Sequence, residues 1–377
     1  MWCIHLLLLF LMQFIINPFG FTLPTSDTLY EGSDCIQENG ESGICKKLPE
    51  CPSKLEEVRN GRRGWDSAGR CGFDHFVEIV CCPANITDKI GVRAADVACQ
   101  QYENEIMVDS VKTNDEVTLH IFGGTEAQSG EFPYMAALGY ESLDDDGPSV
   151  KYTCGGTLIS LQYVLTAAHC VSNVHERVPI EVKLGNKDIS STAADVQRIP
   201  IGEIITHPRY KRSMNYNDVA VLKLTKNAQM TNTVKPICLQ TRSLEQMDAN
   251  EGASLVVVGW GSTTFDNEGS NRLMRTPSLS FVDREACVKH YRGFLKLPHG
   301  LDDNLLCAAD TNLTRRADAC HGDSGGPLLM LSKTGDSIVG VTAFGQTCGS
   351  TVPGVYTAIY PYLDWIEEQV WPDEEMN

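Results

Sequence analysis

An all-β fold, carried by a large C-terminal region behind a small disulfide-rich unit, is what this sequence predicts. Two observations lead there. Beyond about residue 120 the chain runs as short apolar stretches broken by turn signals, among them Val219-Ala220-Val221-Leu222-Lys223-Leu224, Ser254-Leu255-Val256-Val257-Val258 and Ile338-Val339-Gly340-Val341-Thr342. That is the pattern of half-buried strands. Ahead of it, Cys35, Cys45, Cys51, Cys71, Cys81 and Cys82 crowd into fewer than fifty residues.

Taken in order, residues 1–20 read as a secretory signal. Residues 2–16 are almost all apolar, but the run is short for a bilayer span and lacks an initial Lys or Arg. An uncleaved anchor is the alternative. The cysteine count supports export: of fifteen, Cys3 leaves with the signal, and an even number remains to pair in an oxidising compartment. Zinc is a poor alternative, since no Cys-x-x-Cys pair occurs and Cys81-Cys82 is bad ligand spacing. Asn85-Ile86-Thr87 and Asn312-Leu313-Thr314 are glycosylation sequons at Asn85 and Asn312.

The unit over 35–82 is too small to fold on an apolar core alone, so bridges must supply the balance, each worth roughly 2–4 kcal/mol. Six cysteines leave fifteen pairings open. Residues 83–120 form a linker and activation segment, acidic from Glu103 onward and poor in apolar pattern, with Cys99 alone in it. Residues 121–377 make the main domain. Its tail, 361–370, has helical apolar spacing and predicts a terminal helix. The net charge of −18, with a pI near 4.9, argues against a nucleic-acid partner, and no segment after the signal is fit to span a membrane.

The chemistry lies in three strings. Asp318-Ala319-Cys320-His321-Gly322-Asp323-Ser324-Gly325-Gly326-Pro327 places a serine on a glycine-flanked turn. Leu165-Thr166-Ala167-Ala168-His169-Cys170 supplies an imidazole beside a cysteine, and Asn217-Asp218 opens an apolar strand. A serine hydroxyl needs a base to become nucleophilic, and His169, Asp218, Ser324 is one of the chain orders in which the triad occurs. Singly, these residues read as a turn serine, a buried histidine and a strand-end aspartate. Together they point to nucleophilic acyl transfer.

With Ile121-Phe122-Gly123-Gly124, Gly259-Trp260-Gly261 and Pro353-Gly354-Val355-Tyr356-Thr357, these strings resemble the chymotrypsin-like serine peptidases over residues 121–377. The cysteine run ending in Cys81-Cys82-Pro83 resembles the clip domain of arthropod serine proteases. The resemblance implies two six-stranded antiparallel barrels, trypsin-like, with the catalytic residues between them. It implies disulfides Cys35–Cys81, Cys45–Cys71 and Cys51–Cys82 in the clip domain, and Cys154–Cys170, Cys287–Cys307 and Cys320–Cys348 in the catalytic domain. Cys99 and Cys238 are then left over and paired. It also makes Ser324 the nucleophile, His169 the general base and Asp218 its support, with the amides of Gly322 and Ser324 as oxyanion hole.

Asp318 falls where the family floors its primary specificity pocket, and Gly345 and Gly354 match the pocket walls, which implies cleavage after Arg or Lys. Activation by a cut between His120 and Ile121 would free an amine to pair with Asp323. Two departures stand out. Ala343-Phe344-Gly345 replaces the usual Ser-Trp-Gly, so Asp218 loses a supporting hydroxyl. Asn186 stands where relatives that bind calcium have glutamate, and Asp188 and Asp195 are ordinary loop residues, so no cofactor or metal is expected.

The resemblance implies a secreted zymogen in an extracellular haemolymph cascade serving Toll signalling and melanisation. The non-basic His120 looks like the snake- or persephone-like branch. Expected partners are another clip-protease zymogen as substrate, an upstream activating protease and serpin inhibitors. The competing reading is a non-catalytic clip-domain homologue acting as a cofactor, against which the intact triad speaks. A digestive trypsin would not carry the unit over 35–82.

Overall fold

The computed structural model describes residues 32–37, 42–59, 69–74, 76–83, 93–106, 119–121, 124–142, 149–172, 177–243, 254–262, 269–312, 314–332 and 335–372. The signal segment and Asn85 lie outside them, as do the side chains of His120 and Ile121. Among the described residues no helix is long and apolar enough to cross a membrane. The chain divides into two compact units, one through Gly91 and one from Val92 onward.

The first unit is an antiparallel sheet of β1 (Asp34–Ile36), β2 (Ser42–Lys47), β3 (Arg70–Asp74) and β4 (Val77–Pro83) in the order β1-β2-β4-β3, with helix α1 (Pro52–Arg59) between β2 and β3. Its interior is largely sulfur. Cys45, Cys51 and Val80 are fully buried, and Cys35–Cys81, Cys45–Cys71 and Cys51–Cys82 are bonded. These bridges span 46, 26 and 31 residues, for which chain entropy gives roughly 3–4 kcal/mol each. Gly43 is required here, because a Cβ would stand 2.4 Å from the Cys82 carbonyl oxygen and 2.6 Å from Cys81 Sγ.

The second unit begins with a helix, inside the stretch 83–120 that the sequence reading takes as linker and activation segment. Helix α2 (Ala94–Ile106) buries Ala94, Ala95 and Ala98. Its apolar stripe is built of alanines, too small to stand out as periodic hydrophobicity. Arg93 donates through Nε and Nη2 to the Glu367 carboxylate at 3.2 and 2.6 Å, and the Ala95 amide adds a third bond to it at 3.0 Å. Glu367 thus serves the helix as an N-terminal cap from elsewhere in the fold. The Cys99–Cys238 disulfide and a 2.7 Å hydrogen bond from Thr241 to Asp96 complete the docking. Cutting after His120 should therefore leave one species on a non-reducing gel and two on a reducing one. Separation without reductant would refute the tether.

Two short strands, β5 (Leu119–Ile121) and β6 (Gly124–Glu126), precede the first barrel. That barrel is β7 (Met135–Glu141), β8 (Val150–Ser160), β9 (Tyr163–Thr166), β10 (Glu181–Leu184), β11 (Gln197–Thr206) and β12 (Ala220–Leu224), with the short helix α3 (Ala168–Val171) after β9. It closes completely in the order β10-β11-β12-β9-β8-β7. Leu138, Leu158, Leu165, Val182 and Leu222 fill it at no measurable exposure, each contributing roughly 1.5–3 kcal/mol through burial.

After β13 (Cys238–Leu239), the second sheet comprises β14 (Ser254–Gly259), β15 (Met274–Arg275), β16 (Ser280–Phe281), β17 (Leu305–Ala309), β18 (Pro327–Leu331), β19 (Ser337–Phe344) and β20 (Gly354–Ala358), with helix α4 (Arg284–Tyr291) after β16. Six of its strands run in the order β16-β17-β20-β19-β18-β14, and the ends of that path meet at the bridge from Leu255 to Leu279, which makes the second antiparallel barrel. From β14 the sheet continues through β15 and β6 to β5, which draws the backbone of residues 119–121 into register: Leu119 opposite Thr125, and Ile121 opposite Gly124.

Helix α5 (Leu363–Val370) ends the described fold and buries Leu363, Ile366 and Val370. His207 is held edge-on between Tyr362 and Trp365, both rings 5.1 Å away. Burial, aided by Arg209, lowers its pKa to about 4. The unfolded chain binds this proton near pH 6.5, so stability from a neutral His207 is full above that value and is lost as pH falls toward 4. The expected loss is on the order of 3 kcal/mol. His207→Phe should flatten the decline in melting temperature between pH 7 and 4.5, and an unchanged decline would refute the assignment.

Candidate active site

Sequence places Asp218 at the mouth of β12, and the turn before it explains how it is aimed. Asn217 has φ +54°, a left-handed conformation that asparagine tolerates better than most residues. Tyr362 donates to its Oδ1 at 3.3 Å, and Thr357 donates to the Asp218 carbonyl at 3.1 Å. Neither Thr357 nor Tyr362 was legible as a site residue; the asparagine before the aspartate was the available signal. Asp218 is 4% exposed.

His169 comes from α3, where the Cys154–Cys170 disulfide ties the helix to β8. Its backbone amide donates to Asp218 Oδ1 at 2.8 Å, and Nδ1 lies 2.7 Å from Oδ2. A carboxylate only accepts, so Nδ1 carries the hydrogen and a neutral ring presents Nε2 as a base. Burial lowers the imidazole pKa, but the charge and hydrogen bond of Asp218 outweigh it, and the net shift is upward. Among the described residues both hydrogen bonds to the carboxylate come from His169.

Ser324 lies between Gly322, at φ +100°, and Gly325, at φ +76°. Gly325 has a second constraint, since a Cβ would meet Thr166 Oγ1 at 2.3 Å and the Gly155 carbonyl oxygen at 2.6 Å. The Gly155 amide donates to the Ser324 carbonyl at 2.8 Å, docking the turn on β8. Among the described residues no hydrogen bond joins the Ser324 hydroxyl to His169, whose Nε2 lies 3.6 Å from Cys170 Sγ. Such contacts commonly tighten only when substrate binds. The amides of Gly322 and Ser324 have no protein acceptor among the described residues, which leaves two donors beside the nucleophile.

Asp318 is half-buried below this turn, and the Cys320–Cys348 disulfide ties its segment to the loop that bears Gly349. Burial raises its pKa to about 7, opposed by backbone N–H donors at Ala319 and Gly349, while Asp323 adds repulsion. A Cβ on Gly354 would stand 3.1 Å from its Oδ1, whereas one on Gly345 would meet nothing within 4 Å. The remaining disulfide, Cys287–Cys307, ties α4 to β17.

Asp323 is 4% exposed and accepts from Gly261 N at 2.8 Å and Cys320 N at 2.9 Å. Burial raises its pKa to about 6 against those two bonds. Gly259 and Gly261 make room for it: a Cβ on either would approach its carboxylate to 2.1 and 2.5 Å.

The loop after Gly185 is held by internal hydrogen bonds. The Lys183 ammonium donates to the carbonyls of Ile189 and Ser191 at 2.6 and 2.8 Å. Asn186 and Asp188 accept from backbone amides, of Asp188 and Ser190 respectively.

A catalytic-type Asp–His pair, a serine turn with two outward amides and a recessed carboxylate define a serine peptidase site. The trypsin family model matches residues 121–366, and the chain belongs to that family. The chain is 36% identical over 363 residues to serine protease snk of Drosophila melanogaster, covering 91% of this chain and 80% of the relative. It is 29% identical to the proclotting enzyme of Tachypleus tridentatus, covering 93% and 92%. Its fold matches the crystal structure of the Drosophila Grass clip serine protease of the Toll pathway at TM-score 0.60 and 26% identity, over 91% of this chain and 99% of that one.

Proposed function

We propose that this chain is the secreted zymogen of a serine endopeptidase that cleaves proteins after arginine or lysine once the bond between His120 and Ile121 is cut. The observation that carries the reading is the Asp218–His169 pairing with Nε2 left as a base, in one fold with the Ser324 turn and the recessed Asp318. Ser324 Oγ attacks the substrate carbonyl while His169 Nε2 takes its proton, and Asp218 stabilises the imidazolium. The oxyanion accepts from the Gly322 and Ser324 amides, each donor worth roughly 2.7–4 kcal/mol of transition-state stabilisation. His169 then protonates the leaving amine, and water repeats the sequence on the acyl-enzyme.

The similarity to a proclotting enzyme and to a clip serine protease of the Toll pathway supports an extracellular cascade role. The substrate is then a downstream clip-protease zymogen, and serpins are the expected inhibitors. His120 points to an upstream position with a separate activator. It is short and mostly neutral at pH 7, so the enzyme's own Asp318 pocket should reject it. The nearest basic residue upstream is Lys112, where a cut would free Thr113 and not Ile121.

Purified zymogen kept at high concentration should stay intact. The His120→Arg variant should be cut by trypsin or by itself, gain hydrolysis of arginine amides and take a fluorophosphonate label at Ser324. Wild-type self-cleavage yielding an Ile121 N-terminus would end the claim of a separate activator. A correctly cut variant that neither labels nor hydrolyses would establish the non-catalytic cofactor reading instead.

A further inference from the structure

Two surface segments beside the reaction centre, a loop and the end of α4 with the loop that follows it, contain no acidic residue, in a chain of net charge −18. Residues 207–217, leading into Asp218, carry Arg209, Lys211 and Arg212, and residues 286–300 carry Lys289, Arg292 and Lys296. All six cations are exposed. None is ion-paired among the described residues. Elsewhere in the same unit exposed arginines do find carboxylates, as Arg198 finds Glu181 and Arg284 finds Asp303.

The segments are joined to each other and face the cleft. Asn215 N donates to the Lys296 carbonyl at 2.9 Å, and the Tyr216 hydroxyl donates to the Gly300 carbonyl at 2.7 Å while accepting from His299 N at 3.0 Å. Phe344, beside the Asp318 pocket, stacks on Phe294 of the second segment with centroids 6.0 Å apart. Gln346 donates to the His290 carbonyl at 2.9 Å. Lys296 is near enough to His169 for its charge to oppose protonation of the imidazole.

On the proposed activity a substrate's basic side chain rests on Asp318, and the residues preceding its cut bond would then pass Phe344, on which Phe294 of the second segment stacks. We propose that the segments form a binding surface for acidic peptide, selecting substrates with Asp or Glu in the stretch preceding the cut bond. This rests on the proposed activity. The placement favours peptide over another polyanion, because Lys296 acts on His169 and Phe294 of the second segment stacks on Phe344, next to the expected pocket-wall Gly345. The attraction is between exposed charges and is screened over about 10 Å at 0.1 M salt.

The test compares two peptides with the same cut site, one with an acidic and one with a neutral leader, using the cut His120→Arg protein. At low salt the acidic leader should raise kcat/KM about tenfold or more. The advantage should shrink at high salt and disappear in the Lys211→Glu/Arg212→Glu/Arg292→Glu variant. Equal rates for both leaders, from an enzyme that hydrolyses a simple arginine amide, would overturn the proposal. So would binding of a sulfated polysaccharide through these residues without any leader preference. If the arginine amide is not hydrolysed, the proposed activity has failed. Fluorescence anisotropy of the labelled acidic peptide on the full-length Ser324→Ala protein then decides the surface alone. Affinity at least tenfold above that of the triple reversal supports it, and equal affinity overturns it.

Discussion

Asp318→Ser should lower kcat/KM for arginine and lysine substrates by more than tenfold while making the protein more stable at pH 8. The first effect needs only about 1.4 kcal/mol, a modest demand on a charge-assisted contact in a recessed site. The second follows from the raised pKa. A carboxyl that titrates near 7 when folded and near 3.8 when unfolded retains its proton longer in the fold. It therefore weakens stability progressively as pH rises from about 4 to 7, by an amount on the order of 4 kcal/mol. Without that carboxylate, the variant should melt higher than wild type at pH 8, and the gain should vanish near pH 4. Activated wild-type enzyme that prefers Phe or Leu substrates would refute the pocket assignment outright.

Asp323→Asn should give a protein that is cut correctly after residue 120 yet remains nearly inactive. In the uncut chain Ile121 ends β5, paired opposite Gly124, and among the described residues the Asp323 carboxylate has the amides of Gly261 and Cys320 as its hydrogen-bond partners. A freed Ile121 amine would bring the positive partner that a buried carboxylate lacks. Removing one member of a buried pair costs roughly 3–5 kcal/mol, or about 10²–10⁴-fold if it all falls on activity. Pairing raises the amine's pKa above its reference of about 7.7–8.0. Its support is thus full below the free value and fades as pH rises through the bound one. Wild-type activity should decline at high pH, and the cut variant, already low, should show little of that decline. A cut variant within tenfold of wild type would sink the idea.

Much of the catalytic apparatus is written locally. Ser324 needs flanking glycines because its turn uses positive φ and touches β8, so Gly322 and Gly325 appear in the string itself. The clip unit advertises itself because a sheet this small is held by sulfur, and its cysteines are dense enough to see. Helix α2 was not visible for the opposite reason: its stripe is alanine, and its cap is Glu367, some 270 residues away.

The sequence by itself determined most of the strands and the strings that carry His169, Asp218 and Ser324, since each depends on residue type at short range, while the place of Asp318 was legible only through the family resemblance. Tertiary structure alone decided what those residues experience. Burial moves Asp318 and Asp323 toward neutral pH, and Thr357 and Tyr362 fix the turn before Asp218 from the far end of the chain. It also brought two acid-free segments together beside the cleft. Desolvation and convergence are sums over neighbours distant in sequence, so no local reading contains them.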